Sequence, residues 1–496
     1  MPGNGMDSVA VLYPPSEHEG RVPVLTQSRI FSFTHSREIR IYPLVMAQAA
    51  TLLSRAGFRV DWFDGIAART DPGEYWRALS AARPGLAVVE TKTAVIRSHW
   101  RFIDELKKRL PGTAVALVGD HVSCFAEESL DRCAADYVVT GGDYDVSLAA
   151  LARHLRGDGN PLAGGTWRRE AGKAVQSGEY SHLADLDSLP WVDRDLTRWG
   201  LYGEAYLHRP VAYILSGRGC GGVKGTGGCT FCIWQHAFWR RQARLRDPRD
   251  VVREIASLGT RYGVREVFDD NEAGGMWDRE WLEAFADEMR LSGAAGRVSV
   301  ASNCRADCLD EHTCEAMKRA GYRMLKIGLE SGNDETLKRL GKDETVEEIV
   351  RGVRKAKEHG FAVMVTAMVG FPWEGEREVR RTLEVARDLL MYRAKRGDCV
   401  EANVIIPYPG TPLHRMMADN GWFTIDPADY DAYGLSRPVV SSPVDPVKWA
   451  NRIWRLHRAP SFVLRSALSV RTWQDMAMGL RGVRSLFGHE KDYPRG

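Results

Sequence analysis

The stretch V-A-Y-I-L-S-G-R-G-C-G-G-V-K-G-T-G-G-C-T-F-C-I-W-Q, residues 211–235, decides how the chain is read. An apolar run of strand length, Val211–Leu215, leads straight into a glycine-rich loop carrying Cys220, Cys229 and Cys232. Two residues separate Cys229 from Cys232, so one turn presents both sulfurs to one metal centre. Three thiolates on a four-iron cluster leave one iron open to a chelating small molecule. A zinc site completed by His236, or buried free thiols, is the bland alternative.

Downstream of the loop, strand-like runs at Glu266–Phe268, Val298–Ala301, Met324–Leu329, Ala362–Val369 and Ala402–Ile406 alternate with helical patterns. Six such βα units predict a partial TIM-type barrel over 210–413, its chemistry at the strand carboxyl ends. Upstream, Ser8–Tyr13, Arg59–Asp64, Leu86–Glu90, Ala114–Gly119 and Tyr137–Thr140 alternate with helical segments. That predicts a doubly wound, Rossmann-like α/β domain over 1–156. No G-x-G-x-x-G follows its first strand, which argues against a dinucleotide. A large flat ligand across the whole sheet edge fits better. Residues 157–209 read as a hairpin and linker, and 414–496 as a mostly helical unit.

The composition is that of an ordinary globular protein and excludes wholesale disorder and a fibrous repeat: 496 residues, 44% hydrophobic, 27% charged and a net charge of +3. Such balanced charge marks no nucleic-acid partner. No apolar stretch reaches the length of a membrane span, and Ser8–Pro15 is too short for a signal segment. A cytoplasmic location is expected. Nine cysteines are too few and too clustered for a disulfide scaffold.

Several ordered segments resemble the cobalamin-dependent radical S-adenosylmethionine (SAM) enzymes. They are C-T-F-C-I-W, I-G-L-E-S-G-N-D-E-T-L at Ile327–Leu337, G-F-P-W-E at Gly370–Glu374 and P-Y-P-G-T-P-L at Pro407–Leu413. The linker L-D-S-L-P-W-V-D-R-D-L at Leu186–Leu196 belongs to the same set, and the resemblance runs from Ser8 to about Leu413. One departure is the spacing of eight residues between Cys220 and Cys229 where the family has three. The insertion is glycine-rich (Gly221, Gly222, Gly225, Gly227, Gly228), so it reads as a lengthened loop that leaves the three thiolates available, with contact of Lys224 and Thr226 to substrate or SAM as the second reading.

The resemblance implies a [4Fe-4S] cluster on Cys220, Cys229 and Cys232, with SAM chelating the open iron. Phe231 would pack near adenine, Glu330 and Ser331 would hold the ribose, Asp270 would meet the methionine amine and Arg305 its carboxylate. In the first domain it implies cobalamin. Glu90, Thr91, Lys92 and Thr93 would lie under the ring. The loop Val118–Val122 (Gly119, Asp120, His121, Val122) and the Thr140-Gly141-Gly142 turn would cradle the tail. No D-x-H-x-x-G string is present, so no histidine is expected below cobalt. His121 reads as a loop histidine bonded to backbone, with cobalt ligation the runner-up.

The activity implied is methyl transfer from methylcobalamin to an unactivated carbon of a small molecule, with an external flavodoxin- or ferredoxin-type electron donor. Tyr408 is the candidate for substrate positioning. Oxidative cyclisation or ring rearrangement is the alternative, and Trp234–Arg241 would suit a large flat substrate. A corrin-based sensor would have no use for the cysteine loop. From Ser441 onward ten basic residues face four acids, with Ile453, Trp454, Leu456, Phe462, Leu464 and Leu468 interleaved at helical spacing. The expectation is a cap whose apolar face covers the barrel and whose arginines face water. The alternative is a unit that closes the cavity or attracts an anionic substrate or membrane surface.

Overall fold

Ser8–Tyr13 (β1) is buried at every position, as a parallel strand covered on both faces requires. A short ribbon of Val22–Pro23 (β2) and Phe33–Thr34 (β3) follows it. Then come Leu44–Arg55 (α1), Arg59–Asp64 (β4), Pro72–Ala82 (α2), Leu86–Thr91 (β5) and Ile96–Arg109 (α3). Ala114–Gly119 (β6), Asp120–Cys124 (α4), Ala126–Arg132 (α5), Tyr137–Val139 (β7) and Tyr144–Arg156 (α6) complete the first alternation. The strands pair in parallel in the order β4-β1-β5-β6-β7. Strand order reverses beside β1, so the ligand crevice of such a sheet lies beyond the carboxyl ends of β1 and β5. The computed structural model describes residues 6–17, 20–24, 33–36, 38–182, 185–221, 228–272, 275–434 and 437–492.

Within 157–209, read as hairpin and linker, Thr166–Glu170 (β8) and Lys173–Gln176 (β9) form a hairpin that joins the first sheet as its antiparallel edge through β7. One expectation is corrected. The loop expected at Val118–Val122 is the end of β6 and the first turn of α4, because the helix starts directly at Asp120.

The second sheet begins at Val211–Ile214 (β10), followed by a ribbon of Gly217–Arg218 (β11) and Arg244–Leu245 (β12). Pro248–Tyr262 (α7), Glu266–Asp269 (β13), Arg279–Leu291 (α8), Ser299–Cys304 (β14), Glu311–Arg319 (α9) and Tyr322–Glu330 (β15) follow. Asp334–Arg339 (α10), Val346–Glu358 (α11), Ala362–Val369 (β16), Glu376–Met391 (α12) and Cys399–Val404 (β17) close the series. All six main strands are parallel in the order β10-β13-β14-β15-β16-β17, an open barrel with β10 and β17 as its edges. The helix starts are written into the sequence. Asp247 accepts two backbone N–H groups ahead of Pro248, and Thr345 with Glu348 forms a capping box, each cap worth about 1 kcal/mol.

The remainder is helical: Pro412–Asp419 (α13), Pro446–Trp454 (α14), Pro460–Leu468 (α15) and Trp473–Asp492 (α16). The first part caps the barrel. Trp454 Nε1 donates to the Ala402 carbonyl at 3.0 Å, and the Val400 N–H donates to His457 Nε2 at 3.1 Å. Ile453 and Phe462 are buried, but Leu464 and Leu468 are 60% and 70% exposed. The expected apolar face therefore does not all turn inward.

Candidate functional site

The chain leaves β10 and passes through the β11–β12 ribbon before reaching the cysteines. Arg218 is buried and forks onto Asp143 (2.7 Å) and Asp145 (2.6 Å) at the start of α6. Arg244 shares Asp143 at 2.7 Å. These ion pairs tie the cysteine loop to the edge of the first sheet. Burial works against the Asp143 charge, but the two guanidiniums hold its pKa well below the usual carboxylate range. The Gly219 N–H donates to Glu272 at 2.9 Å.

Cys229 and Cys232 close a tight turn, the Cys232 N–H donating to the Cys229 carbonyl at 3.0 Å. Thr230 between them is held on both sides. Its N–H donates to the Leu340 carbonyl at 2.8 Å, and its carbonyl accepts from the Leu413 N–H at 3.0 Å. Gly222, Lys224, Gly225, Thr226 and Gly227 of the insertion lie outside the described residues. The three cysteines line one cavity of about 190 Å³ with Phe231, Asp270, Arg305, Glu330 and Tyr408. Among the described residues no three His, Cys, Asp or Glu side chains converge on a single-ion position. His236 Nε2 turns to the Cys229 carbonyl at 3.3 Å, so the zinc alternative has no ligand set there. A cluster attaches its thiolates to separate irons and needs no single point of convergence. Burial pushes the Cys229 thiol up to about 12, a proton that iron binding must release.

Glu330 ends β15 at φ +61°, in the left-handed region that a residue with a side chain seldom occupies. Its carboxylate folds back over Gly328, where a Cβ would stand 2.1 Å from Glu330 Oε1. Lys342 Nζ lies 3.4 Å from that carboxylate and 3.2 Å from Glu344. Burial opposes the Lys342 charge, yet Glu344 and Glu330 hold its pKa above the ordinary value. Asp270 accepts from Asn303 Nδ2 at 3.3 Å, whereas Asp269 is spent on the Ser216 N–H and hydroxyl at 2.9 and 2.6 Å. Tyr408 reaches the cavity from the turn that its carbonyl forms with the Thr411 N–H (3.2 Å) and hydroxyl (2.7 Å).

Two expected SAM contacts are corrected. The Ser331 hydroxyl donates to Glu374 at 2.6 Å and does not line the cavity. Arg305 lines it, but its fork is occupied by Asp307 at 3.1 and 3.0 Å and its remaining nitrogen by the Lys342 carbonyl at 3.2 Å. The sequence reading missed Lys342, Glu272, Lys326 and Glu204, all of which line the cavity. Lys326 carried a signal: a lysine in the middle of a largely buried strand needs a charged partner or a cavity.

The residues expected around cobalamin do assemble at the carboxyl edge of the first sheet, and all are buried. Glu90 accepts from the hydroxyls of Tyr13 and Tyr144, and Lys92 pairs with Asp120 at 3.1 Å. His121 is a helix residue whose Nδ1 lies 3.1 Å from the Thr93 hydroxyl, not a loop histidine bonded to backbone. Burial takes its pKa down to about 3. A Cβ on Gly141 would meet the Tyr180 ring at 2.4 Å, and one on Gly142 the Trp239 ring at 2.2 Å. The approach these glycines allow is thus taken by the chain's own aromatics. The π-helical turn Trp234–Phe238 lies on the same edge, its two end rings 5.9 and 5.8 Å from Lys92 Nζ. Trp234, Phe238 and Trp239 are buried in the core of the first sheet, which corrects their assignment to a flat substrate.

Polar atoms along this seam nevertheless lack hydrogen-bond partners among the described residues: Thr91 Oγ1, His121 Nε2, Trp234 Nε1 and both amide atoms of Gln235. Such a concentration is uncommon in a packed interior. A corrin rimmed with amides satisfies donors and acceptors of this kind. The donor set fits the ring, and the side chains of Phe238 and Trp239 pack against Tyr144 and Gly142 on the same edge.

Residues 218–386 match the model of the Radical SAM superfamily. The chain is 24% identical over 375 residues to an uncharacterized methyltransferase of Pyrococcus horikoshii, covering 75% of this chain and 77% of that one. It is also 24% identical to the anaerobic magnesium-protoporphyrin IX monomethyl ester cyclase of Cereibacter sphaeroides, covering 80% of this chain and 63% of the cyclase. Among solved structures, the radical SAM methyltransferase TsrM of Kitasatospora setae, bound to cobalamin and a [4Fe-4S] cluster, superposes with a TM-score of 0.69. The match covers 97% of this chain and 99% of TsrM at 18% identity. OxsB, a cobalamin-dependent SAM radical enzyme solved with aqua-cobalamin and SAM, gives a TM-score of 0.67 over 97% of this chain and 72% of OxsB at 14% identity.

Proposed function

We propose that this chain, with its radical SAM domain in the fold of the cobalamin-dependent radical SAM methyltransferases, methylates a carbon of a small-molecule substrate. The observation that carries the reading is one cavity lined by three thiols together with the strand-end groups Asp270, Arg305 and Glu330. When bound, the cluster and SAM supply a 5′-deoxyadenosyl radical, and cobalamin supplies a transferable methyl group.

Cys220, Cys229 and Cys232 hold the cluster, and the Thr230 backbone bonds keep the second and third sulfurs on one turn. Phe231 covers the adenine. Glu330 takes the ribose hydroxyls, oriented by Lys342. Asp270 receives the amine, and Asn303 holds it in place. Arg305 stays on Asp307 and contributes positive potential near the carboxylate more than a free fork. Tyr408 positions the substrate. Thr91, Lys92, Thr93, His121, Gln235 and Trp234 would hold the corrin edge. Reducing electrons come from an external flavodoxin- or ferredoxin-type donor.

The cyclase relatives keep oxidative cyclisation as the competing outcome. Anaerobically reconstituted protein, incubated with methyl-deuterated SAM and candidate acceptors, separates the two by product mass. Gain of one deuterated methyl is the expected result. Loss of hydrogen without methyl gain would replace methylation by cyclisation.

A further inference from the structure

Eight large apolar side chains are exposed among the described residues, and seven of them lie between Val463 and Val483. On α16, Trp473, Met476, Leu480 and Val483 recur at helical spacing and form one outward stripe, with Leu480 60% exposed and Trp473 72%. On α15, Val463, Leu464 and Leu468 form a second. A cap that only covered a barrel would turn such stripes inward. Exposed Arg455, Arg458, Arg465, Arg471 and Arg484 lie in the same segment. Its single acid, Asp475, is engaged by the Thr472 hydroxyl at 2.9 Å and lies 3.3 Å from His208 Nε2. Apolar stripes among arginines, where no described helix is both long and apolar enough to cross a membrane, are the pattern of an interfacial helix.

Behind these helices is a cavity of about 370 Å³ at the amino ends of the barrel strands. Val463 and Val483 belong both to the exposed stripes and to its lining. Phe462, Ala467, Met478 and Met364 make the wall apolar. Further in, Ile41, Glu204, Lys326 and Asn403 line this cavity and the cysteine-lined one alike. The two cavities thus adjoin across a charged belt, with the apolar mouth on one side and the thiols on the other.

We propose that α15 and α16 dock on an anionic phospholipid surface, and that the cavity behind them admits the apolar chain of an amphiphilic substrate. Its polar head then stops at the Glu204–Lys326 belt, beneath the reacting centre. The substrate half rests on the reading of the barrel as a reaction chamber; the docking half does not.

Two readouts on the full-length chain keep the halves apart. The first is co-sedimentation with vesicles of phosphatidylcholine alone or with 30 mol% phosphatidylglycerol as an order-of-magnitude anionic content. Binding to the anionic vesicles is expected, falling about tenfold in 0.5 M salt and in the surface variant L464E/L468E/L480E. The variant C220A/C229A/C232A should bind vesicles like the parent, so loss of the cluster reading leaves this result standing. No preference for anionic vesicles, or a dimer that the surface variant dissociates, overturns the docking face. The second is binding of a dansylated eleven-carbon fatty acid, followed by its fluorescence. Gly482 lines the cavity with nothing within 4 Å of where its Cβ would stand, so Gly482→Trp fills the mouth. About tenfold weaker binding is expected in that variant; an unchanged affinity, or no binding by the parent, overturns the chain-binding cavity.

Discussion

Glu330 shows what a single residue can reveal in sequence and what it hides. Its place at the end of a barrel strand was legible from the I-G-L-E-S-G segment. Its left-handed backbone and its dependence on Gly328 were not, because both arise from how β15 bulges against β16. Gly328→Ala places a methyl where the carboxylate now sits. In the reconstituted protein it should weaken SAM binding about tenfold by calorimetry while the Tm moves less than about 2 °C, since a flexible tip yields and not the core. Lys342 was missed because its signal is tertiary: it lies in the loop after α10 and meets Glu330 and Glu344 only in the fold. Lys342→Met removes the cation shared by two buried carboxylates, of which Glu344 keeps Arg305 at 3.7 Å. We expect a loss of about 3 kcal/mol in urea unfolding, and a neutral result would show that water reaches the pair. Ser331 was misassigned because a strand-end position says nothing about direction, and the hydroxyl turned to Glu374 instead.

At the scale of elements, periodicity placed the strands well: Ser8–Tyr13, Arg59–Asp64, Ala114–Gly119 and Ala362–Val369 are found with the expected bounds. Short polar elements escaped it. The five-residue α4 has too few positions to show a period, and the Trp234–Phe238 turn reads equally well as core or as ligand platform. That turn makes a prediction of its own. If cobalamin enters by displacing Phe238 and Trp239, hydroxocobalamin should change the tryptophan emission maximum as it binds. Trp239→Ala should raise the apparent affinity about tenfold by removing the closed competitor. An unchanged emission maximum with full binding would put the ring elsewhere. The Asp143–Arg218 tie behaves differently, as a link between units. Because Asp143 has a depressed pKa in the fold, its stabilisation is present above the unfolded value near pH 3.9 and is lost as pH falls below it. Asp143→Asn should flatten the pH dependence of stability below about pH 4 and lower iron retention by the adjoining loop.

Across the whole molecule, the two α/β units meet at their strand carboxyl ends. There the loop of Cys220, Cys229 and Cys232 is held by ion pairs to one sheet and backbone bonds to the other. The aromatic turn that follows closes the first sheet, and the helical remainder closes the barrel from its other end while leaving apolar stripes outward. On the proposed function, cluster, SAM and substrate share the one lumen that these cysteines line. The central claim is that the three thiols hold a SAM-cleaving cluster despite the lengthened loop. Anaerobic reconstitution with iron and sulfide, followed by dithionite and SAM, tests it through iron content and 5′-deoxyadenosine. The account predicts about four irons per chain and 5′-deoxyadenosine from the parent, and neither from C220A/C229A/C232A. Near-stoichiometric iron and continued 5′-deoxyadenosine formation in that variant would contradict it.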